Sequence, residues 1–128
     1  MASKAMHAVL PAADLERAKA WYSEKLGLQP VEEDEVAGAY YETGGAEFLL
    51  YQTEFAGTNR ATAASFFVDD FDETIEFLRG NGVTFEEVDF GEMGKTVDGV
   101  ISTPDGSQKA AWFKDSEGNI IAVTKRED

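Results

Sequence analysis

Few residues in this chain could carry covalent or metal chemistry. It holds one histidine, His7, and no cysteine, which removes disulfides, thiolate metal sites and a cysteine nucleophile. An imidazole titrates near pH 6.5, so His7 could serve as a general base, a metal ligand or a polar wall. Glu47 and Tyr51 share one parity on a single strand pattern and are the other candidates for moving a proton. Asp69-Asp70 puts two carboxylates side by side, but Asp70 with Glu73 has the spacing of a capping box, so the pair reads as a helix cap and its neighbour. Trp112 and Trp21 could each stack on a flat or cationic ligand. Trp21 falls within a helix pattern and reads as a packing residue. Trp112 adjoins Phe113 on a late strand, and only one of them can face the interior cup. Gly44-Gly45 belongs to a turn, and the chain has no phosphate-cradling glycine loop, Ser-His-Asp arrangement or nucleophile elbow.

The elements that would position these residues occur twice. Val9-Leu10-Pro11-Ala12-Ala13-Asp14-Leu15-Glu16-Arg17-Ala18 leads to Trp21-Tyr22 and Leu26-Gly27-Leu28. Ser65-Phe66-Phe67-Val68-Asp69-Asp70-Phe71-Asp72-Glu73-Thr74 leads, 56 positions later, to Phe77-Leu78 and Asn81-Gly82-Val83. Each copy predicts a strand, an aspartate N-cap, an amphipathic helix, a glycine stop and further strands. In the first copy the strands are expected at 5–10, ended by Pro11, then 28–34, 38–43 and 46–53. In the second they are expected at 62–68, 83–89, 97–103, 108–114 and 119–125, with turns at Pro104-Asp105-Gly106 and Asp115-Ser116-Glu117-Gly118-Asn119. One domain over 1–128 follows: module one at 1–54, a linker at 55–60, and module two at 61–128 with an extra hairpin at about 97–114. The fold class is α+β. Two βαβββ modules would form a curved, incomplete, barrel-like sheet of eight strands with helices outside. His7 lies on the first strand of the first copy, and its mate in the second is Ala63.

Composition narrows the partners. The formal charge is −14, from 25 acids against 11 bases, and phosphate backbones need the reverse. No nucleic acid is expected, while an acidic cleft would attract a cationic compound. Scattered surface acids also serve solubility, and Glu32-Glu33-Asp34-Glu35 and Glu86-Glu87 read that way. No apolar run reaches the roughly 18 residues of a membrane span, and the N-terminus lacks the regions of a signal peptide. A cytoplasmic protein is the expectation. At 43% hydrophobic and 12% aromatic residues the chain can bury a core.

The repeat resembles the vicinal oxygen chelate superfamily, which includes glyoxalase I, bleomycin-resistance proteins, fosfomycin-resistance enzymes and extradiol dioxygenases. The motifs that carry the resemblance are Asp14-Leu15-Glu16-Arg17-Ala18 with Trp21-Tyr22 and Leu26-Gly27-Leu28, then Val68-Asp69-Asp70, then Trp112 to Asn119. The last is similar to the family's terminal Asp-Pro-x-Gly-Asn hairpin, with Ser116 where proline is usual. In metal-dependent members, one side chain from the first and one from the last strand of each half converge on a metal. Carried across, those positions fall on His7, Leu49, Ala63 and Ala122. One donor remains where an open catalytic site usually has about three, so the resemblance implies no metal cofactor.

Strand alternation adds Tyr51 beside Leu49, Ser65 and Phe67 beside Ala63, and Thr124 beside Ala122. With Trp112 these describe an apolar small-molecule site. The leading reading is a metal-independent protein that binds a small organic molecule, sequestering a cationic or aromatic compound, and paired as a homodimer as the resemblance implies. A second reading is a glyoxalase-like lyase or isomerase with displaced ligands, working through His7, Glu47 or Tyr51. A third is an interaction or regulatory module whose cup is filled by its own side chains.

Overall fold

The computed structural model describes residues 1–126; the last two positions of the second module lie outside the described residues. Two four-stranded sheets are formed among them. The first half contributes β1 (Ala8–Ala12), α1 (Leu15–Trp21), β2 (Glu32–Asp34), β3 (Gly38–Thr43) and β4 (Ala46–Gln52). The second contributes β5 (Thr62–Phe67), α2 (Phe71–Gly80), β6 (Val100–Ser102), β7 (Gln108–Lys114) and β8 (Ile120–Arg126). The strand orders are β1-β4-β3-β2 and β5-β8-β7-β6. In each sheet the first strand runs parallel to the last and the other pairings are antiparallel. The expected α+β fold of two βαβββ modules is present, as two open sheets rather than a closed barrel.

Both helices start where the sequence provides acceptors for their free amides. Asp14 accepts from the Arg17 amide and Asp70 from the Glu73 amide, each at 3.0 Å and each with extended backbone. After Trp21 the first helix widens into a π turn over Tyr22–Leu26, and Gly27 ends it at φ 70°, a conformation that suits glycine. Gly38 is obligatory for a different reason. A Cβ there would lie 2.1 Å from the Leu50 carbonyl oxygen.

Several boundaries differ from the sequence expectation. Pro11 does not end the first strand: it pairs with Tyr51 at the sheet edge, where a missing N–H costs no ladder bond. β2 is shorter than 28–34, with Pro30 just ahead of it. The strand expected at 83–89 does not form. The free edge of β7 is divided, β6 taking residues 109–111 and Phe85 bridging only to Phe113. The strand expected at 97–103 is cut at Asp98-Gly99, where φ values of 53° and 79° turn the chain back and bridge Val97 to Val100. The hairpin within 97–114 is therefore β6–β7, the counterpart of β2–β3, and not an addition. The extra length of the second half lies between α2 and β6.

The inner faces of both sheets and both helices share one core. Leu10, Tyr41, Phe48 and Leu50 face it from the first sheet, Ala111, Phe113, Ile121 and Val123 from the second, and Ala18, Tyr22, Phe71, Ile75 and Leu78 from the helices. Tyr41 stacks on Phe48 with centroids 4.9 Å apart, an arrangement that adds to the burial of both rings.

A buried polar turn fastens the second half to the start of the first. Asp115 accepts from the amides of Glu117 and Asn119, from the Asn119 side-chain amide, and from the Tyr22 hydroxyl at 2.7 Å. Asn119 donates across to the Pro11 carbonyl. The Glu117 carboxylate, wholly buried, takes the Arg17 guanidinium in a two-pronged pair at 2.9 Å, and also the Asp14 amide and the Ser116 hydroxyl. These donors hold its pKa down at about 2, the Arg17 hydrogen bonds being the largest cause. Burial pushes the Tyr22 hydroxyl well above its ordinary value, helped by the Asp115 charge. The Asp-x-x-Gly-Asn hairpin is thus a fastening between halves.

Candidate functional site

Because alternate side chains leave opposite sides of a strand, each sheet has an open face behind its core face. On the first sheet, register places Val9 beside Leu49 and Leu49 beside Tyr40, with Pro11 beside Tyr51 and Glu42 beside Glu47. On the second, Ser65 lies beside Ala122 and Ala122 beside Trp112, with Phe67 beside Thr124 and Thr124 beside Ala110. Leu49 and Ala122 hold equivalent places, each next to the residue at the 56-position repeat offset. Phe113 is fully buried in the core, so Trp112 is the residue on the open face.

Ala63 departs from the expected parity. The register of β5 with β8 slips between Thr62 and Ala64, and this bulge packs Ala63 against the core. Thr62 takes the place beside Ile120 instead. Ala63 does not share a face with Ser65 and Phe67.

The open face of the second sheet carries two clefts. The larger, about 600 Å³, is lined by Phe67, Met93, Ile101, Ala110, Thr124 and Arg126 among others. Phe67 is 62% exposed there, and the Arg126 guanidinium lies 5.0 Å above its ring. The Thr124 and Ser65 hydroxyls are 3.0 Å apart and hydrogen-bonded. The smaller, about 330 Å³, includes Thr62, Phe90, Trp112 and Ile120, with Phe90 against Trp112 at 5.3 Å. Ala122 is buried beneath this surface. Five candidates from the sequence therefore meet on one face: Ser65, Phe67, Trp112, Ala122 and Thr124.

The other candidates lie elsewhere. Leu49 and Tyr51 belong to the first sheet's open face and line neither cleft. His7 precedes β1, exposed and edge-on to Tyr40 at 6.4 Å. It lines a separate pocket of about 190 Å³ where the sheets meet, together with Glu47 and Ser65. Phe90, Met93, Ile101 and Arg126 are lining residues that the sequence reading missed. The first two lie in a loop whose placement depends on the divided edge of β7. Ile101 was legible in principle, since its pairing with Ala110 follows from the β6–β7 alternation.

The four positions matched to a metal site do not suit a metal. His7 offers one imidazole, Leu49 and Ala122 offer hydrocarbon, and Ala63 sits in the bulge. Among the described residues no three or more His, Cys, Asp or Glu side chains are grouped so as to hold an ion.

Comparison with solved structures places this arrangement among known folds. The chain superposes on UcmS2 with a TM-score of 0.69 at 22% identity, covering 97% of this chain and 98% of that one. It superposes on the genomically encoded fosfomycin resistance protein FosX of Listeria monocytogenes with a TM-score of 0.70 at 14% identity, covering 100% and 94%. For lactoylglutathione lyase of Agrobacterium tumefaciens the values are 0.67 and 20%, covering 96% and 93%. A mutant of the Listeria protein is complexed with Mn(II) and 1S,2S-dihydroxypropylphosphonic acid. No curated protein sequence matches the chain significantly. The family model described as glyoxalase/bleomycin resistance protein/dioxygenase superfamily matches residues 4–123, and the chain belongs to that superfamily.

Proposed function

We propose that the protein binds a small aromatic organic molecule, without a metal, on the open face of its second sheet. The observation that carries this reading is the cleft of about 600 Å³ in which a largely exposed phenylalanine, Phe67, lies with Arg126 and with Thr124, whose hydroxyl is hydrogen-bonded to that of Ser65 behind it. Ligand sites are concave, mostly apolar and furnished with few polar groups, and this face has that composition. The donor chemistry at His7, Leu49, Ala63 and Ala122 supports metal independence, because a leucine and two alanines cannot ligate an ion. Sequestration of the bound compound, as the superfamily's resistance branch suggests, is the role proposed for it.

Two chains are expected to pair. The edge strands β2 and β6 are short, and Val9 and Phe67 are large apolar side chains left in solvent. A cytoplasmic site fits the absence of cysteine. Elemental analysis of purified protein tests metal independence: substoichiometric nickel, zinc, iron and manganese are expected, and about one ion per chain overturns the reading. Sedimentation velocity tests the pairing, with a dimer expected and a monomer at high micromolar concentration contradicting it.

A further inference from the structure

Where the edge strands β1 and β5 meet, the two sheets leave the pocket of about 190 Å³ between them. Its walls come from the core-facing side of both halves: Ala8, Leu10 and Phe48 from the first, Ala64, Phe66 and Ile121 from the second. It is separate from the two clefts described above; Glu47 and Ser65, which strand parity assigns to the open faces, border its mouth. Small side chains line it from both halves, Ala8 from the first and Ala64 from the second, and the Phe48 and Phe66 rings meet edge to face with centroids 6.2 Å apart.

The mouth differs from the walls. Glu47 is the one acidic residue among the described residues that lines the pocket, together with His7 and Ser65. Glu42 stands directly across the ladder from Glu47, and neither carboxylate has an ion-pair partner among the described residues. Like charges in that position repel, so a cation at the mouth relieves the pair as well as meeting Glu47. The apolar interior has the scale of the engineered cavity of roughly 150 Å³ that stays dry and takes benzene.

We propose that this seam pocket binds a compact apolar molecule carrying one ammonium group. The hydrocarbon body lies against Leu10, Phe48 and Phe66, and the ammonium stays at the mouth beside Glu47. There it keeps part of its hydration, so the desolvation cost of a buried ion pair is avoided. This site does not depend on the aromatic-binding reading of the second sheet's open face.

The test is a titration of the full chain with three probes of one size, benzylamine, benzyl alcohol and benzoate, followed by amide chemical shifts. Benzylamine is expected to perturb Ala8, Ala64 and Phe66, and to bind about fivefold more tightly than benzyl alcohol at low salt. Benzoate is expected to bind most weakly. Glu47→Gln should erase the preference for the amine while changing benzyl alcohol affinity by less than about twofold. Ala46→Leu, at an exposed rim position, should block both ligands, with unchanged thermal melting showing that both variants are folded. Equal affinity for amine and alcohol, or no shifts at the seam, overturns the proposal. Shifts confined to Phe67, Ala110 and Thr124 also overturn it, while leaving the open-face reading intact.

Discussion

The two halves of this protein repeat one backbone and differ in almost everything attached to it. Glu32, Asp34, Glu42 and Glu47 stand on the first sheet's open face, and none of them has an ion-pair partner among the described residues. The strands of the second sheet's open face carry Arg126 and Lys114, with Phe67 and Trp112 between them, and its acidic groups, Glu86 and Glu87, come from the loop beside the smaller cleft, Glu86 lying 3.9 Å from the Lys114 ammonium. The turns differ in the same sense. Thr43-Gly44-Gly45 between β3 and β4 is an exposed turn, whereas Asp115–Asn119 between β7 and β8 is a buried polar fastening. Duplication explains the shared topology. The divergence shows that backbone symmetry does not carry chemistry: one half carries the aromatic clefts and holds the fastening, and the other supplies an acidic face.

The largest expected effect separates the two turns. Asp115→Ala leaves the Tyr22 hydroxyl and the Glu117 and Asn119 amides without their acceptor, and should cost about 3–5 kcal/mol in urea unfolding. Gly44→Ala in the matching turn strains a positive φ only and should cost about 1 kcal/mol. Similar losses at both sites would mean that the fastening is not what distinguishes the halves.

A second effect concerns acid. The folded pKa of Glu117, about 2, lies below its ordinary value of 4.5, so ionised Glu117 binds fewer protons folded than unfolded. Its contribution is complete above about pH 4.5 and is lost as pH falls toward 2. About 2 kcal/mol should disappear over that window once the exposure of Arg17 is allowed for. Arg17→Ala should flatten the loss, as read from urea midpoints at pH 5, 4 and 3.

The third effect sharpens the contrast between faces. Phe67→Ala should weaken binding of an aromatic ligand about tenfold, whereas Tyr51→Ala on the first sheet should change it less than about twofold. Isothermal titration calorimetry on both variants distinguishes them. The smallest effect lies on the acidic face. Glu42→Gln removes a like-charge cross-strand pair and should raise stability by about 0.5 kcal/mol, a gain that shrinks in high salt.

Much of this architecture was legible in the sequence because local signals agreed with the final packing. Asp14 and Asp70 announced their helices, and β7 begins and ends where the pattern put it. The errors arose where tertiary contacts overrode alternation. Val83 and Phe85 alternate as a strand would, but the edge they needed is already shared with β6. The bulge at Ala63 has no glycine to mark it, so parity alone put that residue on the wrong face. The choice between Trp112 and Phe113 was open because both neighbours are aromatic. The seam pocket is lined by Ala8 and Ala64, small residues far apart in the chain that share a pocket only once the sheets are brought together.

The central claim is that the second sheet's open face binds an aromatic ligand without a metal. Its most direct test is an amide-shift titration with a naphthalene-based probe, before and after exhaustive chelation and dialysis. The account predicts shifts centred on Phe67, Ala110 and Thr124 with one affinity under both conditions. Loss of binding on chelation, and its return when manganese, zinc or nickel is added, would contradict it.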